Sequence, residues 1–277
     1  MKKEISTVPY DYITIKTTKS RIEKGLLAIP VSLIDLFPTN SSMLCLIDER
    51  GVEEIKNFTP YNSSSRECRI GGMRDFYEKY HVNDGDELVI QLLDNEKLKI
   101  IPENIFTKQV RQLEQNFELS ATEDESSIAL KNIAKTVNKK QIEVVIGEYS
   151  RMAKESILQR KTVTKTNVNV REGVPSSLRK ILLEIYQGKC QVTQFSFQTK
   201  SGSPYFELHH IDPLKGNHFK NLLVVSPNVH AQFTYANVIE KFDEDNWLRE
   251  VEFNGEKHFV NQAIDKYKVD YYKEVHQ

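Results

Sequence analysis

Cysteine is scarce in this chain of 277 residues, and long apolar runs are missing. The three cysteines, Cys45, Cys68 and Cys190, are odd in number and far apart, which matches neither a disulfide framework nor a Cys-x-x-Cys zinc site. This usage favours a reducing, intracellular setting. No run is apolar enough for a signal sequence or a membrane-spanning helix, so we expect a cytoplasmic protein without a membrane partner.

An excess of one charge is also lacking. The 38 Lys and Arg residues balance 39 Asp and Glu residues, which leaves a formal net charge of −1. Any nucleic-acid surface must therefore be a local patch. Charged residues make up 28% of the chain and hydrophobic residues 39%, which argues against wholesale disorder, and the length predicts roughly two domains.

The N-terminal region, residues 1–105, has the pattern of a sheet. Short runs alternate between apolar and polar residues and are separated by turn residues, which predicts strands at 12–15, 43–47, 88–93 and 98–101. Two short helices are expected among them. One follows Pro30 and runs to Phe37, and the other places residues 73, 76, 77 and 80 on one face.

The remaining chain divides into a connector at 106–172 and a third region at 173–277. In the connector, a helix at 140–158 would carry one apolar stripe, which predicts an interdomain or dimerisation helix: Ile142, Val145, Ile146, Tyr149 and Met152. The third region opens with a helix that starts at Pro175 and stops at Gly188. The fold class is therefore α+β, with a mainly-β N-terminal domain and a helical connector.

Three histidines lie in one short window of the third region, His209, His210 and His230. His209 and His210 end an apolar run that predicts a strand, and residues 222–225 predict a second one. The dipeptide at 226–227 is a helix start that places His230 in a first helical turn. The expected unit is strand, loop, strand, helix.

Adjacent residues on a strand point to opposite faces, so His209 and His210 cannot do the same job. One imidazole can bind a metal ion while the other acts as a general base on water, a division that suits phosphodiester hydrolysis. A buried, hydrogen-bonded histidine pair is the plainer alternative.

Residues 178–238 resemble an HNH nuclease of the ββα-metal fold, of the restriction-enzyme type. The resemblance is carried by Tyr186-Gln-Gly-Lys-Cys-Gln-Val-Thr193, His209-His-Ile-x-Pro213, Asn221-Leu-Leu and Pro227-Asn-x-His230-x-x-Phe233, in that family's order. By position it implies that His210 is the general base, that His209 and His230 hold one divalent cation per subunit, and that Asn221 braces the loop between the strands.

The chain departs from that family at two points. Cys190 stands alone where many relatives have cysteine pairs, so no structural zinc is expected. Thr234 stands where relatives often have another ligand, which leaves the third protein ligand open between Asn228 and water or phosphate. Mg²⁺ or Mn²⁺ suits such an oxygen-rich shell, and two imidazoles would also tolerate Ni²⁺ or Co²⁺.

Residues 10–105 resemble the DNA-binding pseudobarrel shared by plant transcription factors and the effector domains of several restriction enzymes. The order of residues 25–30, 46–52, 72–77 and 82–88 carries this resemblance. It implies two arms that grip the major groove of double-stranded DNA.

The local positive charge lies where those arms are expected. The first arm contains Lys16, Lys19, Arg21 and Lys24, and the second contains Arg66 and Arg69 beside Tyr61 and Asn62. Such side chains anchor phosphates and contact base edges in DNA-binding proteins. The plainer alternative is that these short basic runs are simply solvent-exposed surface. The acidic residues of the region are expected off the binding face: Glu53, Glu54, Asp84, Asp86 and Glu87.

Together these features predict a sequence-specific, divalent-metal-dependent DNA endonuclease of the restriction or phage-defence type. The nuclease resemblance implies products with 5′-phosphate and 3′-hydroxyl ends. One such site cuts one strand, so a double-strand break at a symmetric sequence favours a homodimer. Two alternatives stay open: an endonuclease that depends on modified bases, and a non-catalytic DNA-binding regulator.

Overall fold

The computed structural model describes residues 8–61, 67–93, 96–165 and 168–267, without the side chains of 163–165 and 168–170. Two of the predicted DNA contacts, Asn62 and Arg66, lie outside the described residues. The chain forms two compact units. The N-terminal unit contains Met1–Leu113 and Lys135–Asn138, and the C-terminal unit contains Glu114–Ala134 and Lys139–Gln277.

The N-terminal unit is built on one seven-stranded sheet with the strand order β1-β6-β7-β3-β4-β5-β2. All neighbours are antiparallel except β3 and β7, which are parallel. The strands are β1 (Ile13–Lys16), β2 (Leu26–Ile29), β3 (Ser42–Ile47), β4 (Glu53–Thr59), β5 (Cys68–Gly71), β6 (Glu87–Leu92) and β7 (Lys97–Pro102).

The short link between the two edge strands bends this sheet. The edge strands β1 and β2 are consecutive in sequence and are joined by residues 17–25, which contain helix α1 (Lys19–Lys24). A flat seven-stranded sheet is roughly 29 Å wide. The partly helical link spans at most about 23 Å. The sheet therefore curls until its edges approach, which gives the expected pseudobarrel form.

Alternating apolar side chains fill the interior of the curled sheet. Leu27 and Ile29 of β2, Leu88 and Ile90 of β6, and Ile70 of β5 are buried in one cluster. Helix α2 (Arg74–Lys79) and a 3-10 helix at Val31–Leu36 pack onto it. The strands and both helices predicted from the sequence are confirmed.

Three helices follow the sheet: α3 (Glu103–Glu118), α4 (Glu123–Val137) and α5 (Gln141–Ala153). Only the last was predicted, and it ends five residues before the expected position 158. In the C-terminal unit, Tyr149 of α5 is buried and its ring lies 4.6 Å from that of Phe219 and 6.4 Å from that of Trp247, between ring centroids. The stripe expected at a dimer interface is therefore largely occupied by the core of this unit.

The rest of the C-terminal unit alternates short sheets with helices. Its elements are β8 (Thr162–Lys165), β9 (Val168–Arg171), α6 (Ser176–Tyr186), β10 (Phe197–Gln198), β11 (Pro204–Tyr205), β12 (Glu207–His210), β13 (Leu222–Val225), α7 (Pro227–Tyr235), β14 (Val238–Phe242), β15 (Leu248–Phe253), β16 (Glu256–Phe259) and α8 (Ala263–Tyr267). Strands β8 and β9, β10 and β11, and β12 and β13 form antiparallel pairs, and β14 to β16 form a three-stranded sheet. Over the described residues, the structure contains no helix that is both long and apolar enough to span a bilayer.

Candidate active site

The histidine window forms a ββα unit in the C-terminal unit. Strands β12 and β13 pair antiparallel, with His209 opposite Leu223 and His210 opposite Leu222. Ser226 caps α7 by accepting a hydrogen bond from the backbone amide of Val229, and Pro227 occupies the first turn. The strand–loop–strand–helix order expected from the sequence is thus observed, with all four residues of β13 buried beneath the histidines.

Asn221 holds the loop between the two strands. Its side chain is 2% exposed, its Oδ1 accepts a hydrogen bond from the Asp212 amide at 2.8 Å, and its Nδ2 lies 3.0–3.2 Å from the carbonyl oxygens of Asp212, Lys215 and Gly216. One buried side-chain amide, with one acceptor oxygen and two N–H donors, therefore ties together four backbone groups of the loop.

His209 lies on the face of β12 that meets α7. Its ring stacks on Phe233 at 4.1 Å and packs edge-on against the ring of His230 at 5.3 Å, between centroids. Burial, followed by the charges of His230 and His210, lowers the pKa of His209 to about 4. The imidazole is therefore neutral near pH 7, as a metal ligand must be.

Glu207 completes this face, and the sequence analysis did not select it. Its Oε2 lies 2.5 Å from Nδ1 of His230, and its Oε1 accepts a hydrogen bond from the Tyr205 hydroxyl at 2.9 Å. The hydrogen bond from His230, then opposed by burial, gives Glu207 a pKa below its usual value. The signal was present in the sequence, because residues two apart on a strand share a face, which places Glu207 with His209.

His210 faces the opposite side of β12 and meets Asn217. The ring Nε2 lies 3.0 Å from Oδ1 of Asn217, whose Nδ2 donates to the carbonyl oxygen of Gly173 at 2.9 Å. Since the amide of Asn217 is oriented by Gly173, its oxygen must accept, and His210 donates from Nε2. The neutral ring then keeps its lone pair on Nδ1.

Two arginines act on His210 from the segment before α6. Burial lowers the pKa of His210 and so do the charges of Arg160 and Arg171, against the raising effect of the Asn217 hydrogen bond. Arg160 donates from Nε and Nη2 to the Glu172 carbonyl oxygen at 2.9 and 2.7 Å, which fixes its guanidinium. Positive charge beside a neutral imidazole is an arrangement that can accept a phosphate.

Two other arginines of the C-terminal unit pair with carboxylates. Arg151 contacts Glu118, Glu148 and Glu155, and Glu148 is fully buried. Arg179 pairs with Glu123 at 2.8 Å. Arg160 differs from them, because its guanidinium donates to a backbone carbonyl oxygen and not to a carboxylate.

The His209 face offers two imidazole nitrogens to a metal ion. Within the described ranges, no three or more His, Cys, Asp or Glu side chains form a group that could hold a metal ion. The donor chemistry nevertheless fits an ion held by the two imidazoles His209 and His230, because Glu207 takes up Nδ1 of His230 and leaves its Nε2 for a ligand. Thr234 donates to the His230 carbonyl oxygen at 3.2 Å, and Asn228 is exposed on α7.

In the N-terminal unit, the carboxylate of Glu67 brings the two predicted arms together. Arg21 of the first arm forms an ion pair with Glu67, and Arg69 of the second arm donates from Nε to the same carboxylate at 2.8 Å. These two hydrogen bonds, although opposed by burial, keep the pKa of Glu67 low, so the cluster carries one net positive charge. Tyr61 is 44% exposed beside it.

Lys16, Lys19 and Lys24 are exposed, and the first two lie beside acidic residues. Asp84 accepts a hydrogen bond from the Lys19 amide at 2.9 Å. The turn between α2 and β6, which carries Asp84, also packs near Lys16 at Gly85. The expectation that the acidic residues lie off the basic face is therefore wrong for Asp84, because the turn closes against the start of α1.

No family model matches the chain, and no curated protein matches it. Among solved structures, the chain is similar to the Arabidopsis FUS3–DNA complex, with 16% identity, 33% of this chain and 94% of that chain covered, and a TM-score of 0.29. It is also similar to a hypothetical protein of Arabidopsis thaliana, with 16% identity, 32% and 85% covered, and a TM-score of 0.28. Both TM-scores are below 0.5, so neither likeness indicates a function for this chain.

We expect Asn221→Ala to loosen the loop at 211–220. The substitution leaves buried backbone groups without partners, at a cost of roughly 1–3 kcal/mol for each group that water cannot reach. Hydrogen exchange should become faster at the amide of Asp212, and the free energy of unfolding should fall. Asn228→Ala on the exposed side of α7 is the control. Unchanged exchange at 212–216 in Asn221→Ala would show that the loop is held by other contacts.

Proposed function

We propose that the chain is a divalent-metal-dependent DNA endonuclease of the restriction or phage-defence type. The C-terminal unit cuts, and the N-terminal pseudobarrel recognises a DNA sequence. The observation that carries this proposal is the placement of the histidines on the two faces of β12. His210, with a defined free nitrogen and two arginines nearby, faces one side, while His209 faces His230 and Glu207 on the other.

His210 is the general base in this proposal. Asn217 holds Nε2–H, so Nδ1 takes a proton from a water molecule, whose oxygen then forms a bond to phosphorus. The bond from phosphorus to the 3′ oxygen breaks, and that oxygen takes up a proton from solvent. The products carry 5′-phosphate and 3′-hydroxyl ends. Arg160 and Arg171 hold the negatively charged phosphate at His210.

His209 and His230 would hold the ion, with Mg²⁺ or Mn²⁺ as the proposed metal. Bound there, a divalent ion supplies charge stabilisation to the phosphate and to the leaving 3′ oxygen. Glu207 would support the ion indirectly, because its hydrogen bond to Nδ1 holds the ring of His230 and leaves Nε2 available as a ligand. Water and phosphate oxygens complete the coordination in this proposal.

The two arms of the N-terminal unit are proposed to grip double-stranded DNA. Lys16, Lys19 and Lys24 supply phosphate contacts, and Arg21 and Arg69 become available to DNA by exchanging Glu67 for phosphate or base edges. One catalytic site per chain cuts one strand, so a double-strand break at a symmetric site requires two copies of the chain on the DNA.

Cleavage tests the central claim. Incubation with modified and unmodified phage and plasmid DNA in Mg²⁺ or Mn²⁺ should give discrete cuts with 5′-phosphate ends, mapped by sequencing. His210→Ala should slow cutting by about 100-fold or more, whereas His258→Ala on β16 should not.

Each alternative has its own outcome in this experiment. Cutting confined to modified DNA would assign the modification-dependent activity instead. Absence of cutting in every metal, with DNA binding retained, would assign a non-catalytic regulator.

Metal affinity tests the role of Glu207. Glu207→Gln keeps the shape of the side chain but removes the negative charge that orients His230, so Mn²⁺ should bind about 10- to 100-fold more weakly. Isothermal titration with Mn²⁺ measures this without any turnover. His210→Ala should leave the affinity unchanged, and His230→Ala should abolish binding. Equal affinity of Glu207→Gln and the wild type would remove Glu207 from the site.

DNA affinity tests the arms. Arg69→Ala should weaken binding to duplex DNA and reduce the slope of log affinity against log salt by about one, if Arg69 neutralises one phosphate. Arg50→Ala is the matched control, because Arg50 is an exposed arginine on the β3–β4 turn outside both arms. Fluorescence anisotropy over a salt series measures both. The arm assignment fails if the two variants behave alike.

A further inference from the structure

Three aromatic rings lie exposed on a small hairpin next to the proposed active site. Phe195 is 54% exposed, Phe197 42% and Tyr205 38%. The ring centroids of Phe195 and Phe197 are 6.0 Å apart, and those of Phe197 and Tyr205 are 5.1 Å apart with the planes within 24°. These three side chains are called the aromatic face below. Large aromatic rings usually bury their surface, so a contiguous exposed set indicates a binding surface.

The hairpin presents these rings on a fixed backbone. Phe197 of β10 pairs directly with Tyr205 of β11, and the turn between them is closed by hydrogen bonds from the Thr199 amide to Ser203 O at 2.8 Å and from Gly202 to Thr199 O at 2.9 Å. At its base, Pro204 packs so closely on Gly188 that a Cβ there would lie 2.6 Å from the Pro204 side chain. The rings are therefore presented before any partner binds.

The aromatic face is continuous with the proposed active site. The Tyr205 hydroxyl donates to Oε1 of Glu207 at 2.9 Å, and the other oxygen of that carboxylate contacts Nδ1 of His230. A molecule that lies on Tyr205 is thus one hydrogen-bonded side chain away from the histidine pair.

Beyond Glu207 at its inner edge, the segment that carries the face is positively charged, which suits a polyanion. Residues 185–206 contain Lys189 and Lys200 and no Asp or Glu, in a chain with 39 acidic residues. Arg179, which pairs with Glu123, stacks on the neighbouring ring of Phe206 at 4.1 Å. The exposed side chains between the rings are Ser, Gln and Thr, which can bond to base edges. An acidic protein surface could form ion pairs with the cations, but its carboxylates would not stack on the flat rings.

We propose that the aromatic face stacks on unpaired nucleobases beside the cut, in a single-stranded or locally opened stretch of the DNA. The inference rests on the proposed nuclease function and adds a second DNA contact to it. Every base has a flat face, so stacking on Phe195, Phe197 and Tyr205 is tolerant of sequence. Lys189 and Lys200 hold the phosphates of the same strand.

Binding to short oligonucleotides tests this inference without cleavage. The whole chain with His210→Ala is titrated against a fluorescein-labelled single strand and against a strand of the same length made of abasic sites, which keeps the phosphates and removes the bases. Adding Phe197→Ala should weaken binding of the normal strand by at least about fivefold and leave binding of the abasic strand unchanged. Phe259→Ala removes a ring that is 83% exposed on β16 and is the matched control.

A direct readout of stacking comes from Phe197→Trp. The chain contains one tryptophan, Trp247, which is 1% exposed, so an exposed indole on the hairpin reports separately. The normal single strand should quench its fluorescence and the abasic strand should not. Equal binding of both strands, absence of quenching, or a Phe197→Ala variant that binds like its parent would overturn the inference.

The two proposals fail in different ways. If the wild type cuts DNA while the hairpin variants bind single strands normally, only the aromatic face is wrong. If the wild type cuts no DNA but the base-dependent binding holds, only the nuclease activity is wrong. A change in molecular mass on Phe197→Ala, measured by light scattering, would instead assign the face to contact between two copies of the chain.

Discussion

The candidate active site depends on the hydrogen bonds that the Asn221 side chain makes to the backbone of the loop between β12 and β13. Apart from one bridge between Lys215 and Gln159, the loop between β12 and β13 is not paired with a strand, and its other buried amide and carbonyl groups need hydrogen bonds from elsewhere. The Asn221 side chain supplies them from a 2% exposed position. The loop in turn places Asn217 against His210. The side-chain amide of Asn221 thus acts through the loop and Asn217 to set the tautomer of His210, the proposed base.

The same loop also fixes the basic segment that faces His210. The amide of Gly216 donates to Leu158 O at 2.6 Å, and the amide of Arg160 donates to Leu214 O at 2.9 Å. A Cβ on residue 216 would lie 2.9 Å from that Leu158 oxygen, so glycine is required for the approach. These main-chain hydrogen bonds hold the backbone of Arg160 near His210. Because that segment is already ordered, less conformational entropy is lost when a phosphate binds.

The sequence predicts most of the framework and about half of this site. Period-2 alternation, the Ser226 cap and the Pro175 start are local signals, so the strands, α6 and α7 follow from them. Glu207 shares the face of His209 by strand alternation and could have been selected. Asn217 and Arg160 could not, because their roles come from contacts with residues 7 and 50 positions away from them. The sequence likewise did not predict helices α3 and α4, whose residues fall largely in the connector. Their acidic residues and few aromatics made the apolar face of each helix hard to recognise.

In the proposed complex with DNA, two of the arginines in the arms must exchange a carboxylate of the chain for the nucleic acid. Glu67 pairs with Arg21 and Arg69 at the same time. In the absence of DNA, this cluster therefore has a net charge of about +1, whereas the two arginines alone would give about +2. Phosphate alone must compete with this carboxylate, which weakens binding to arbitrary DNA. An arginine that makes two hydrogen bonds to a base edge gains more binding free energy than one that contacts only a phosphate. The base contact therefore offsets more of the cost of breaking the ion pair with Glu67. The shared carboxylate would therefore lower non-specific affinity more than specific affinity, and in a nuclease this difference restricts where the chain settles long enough to cut.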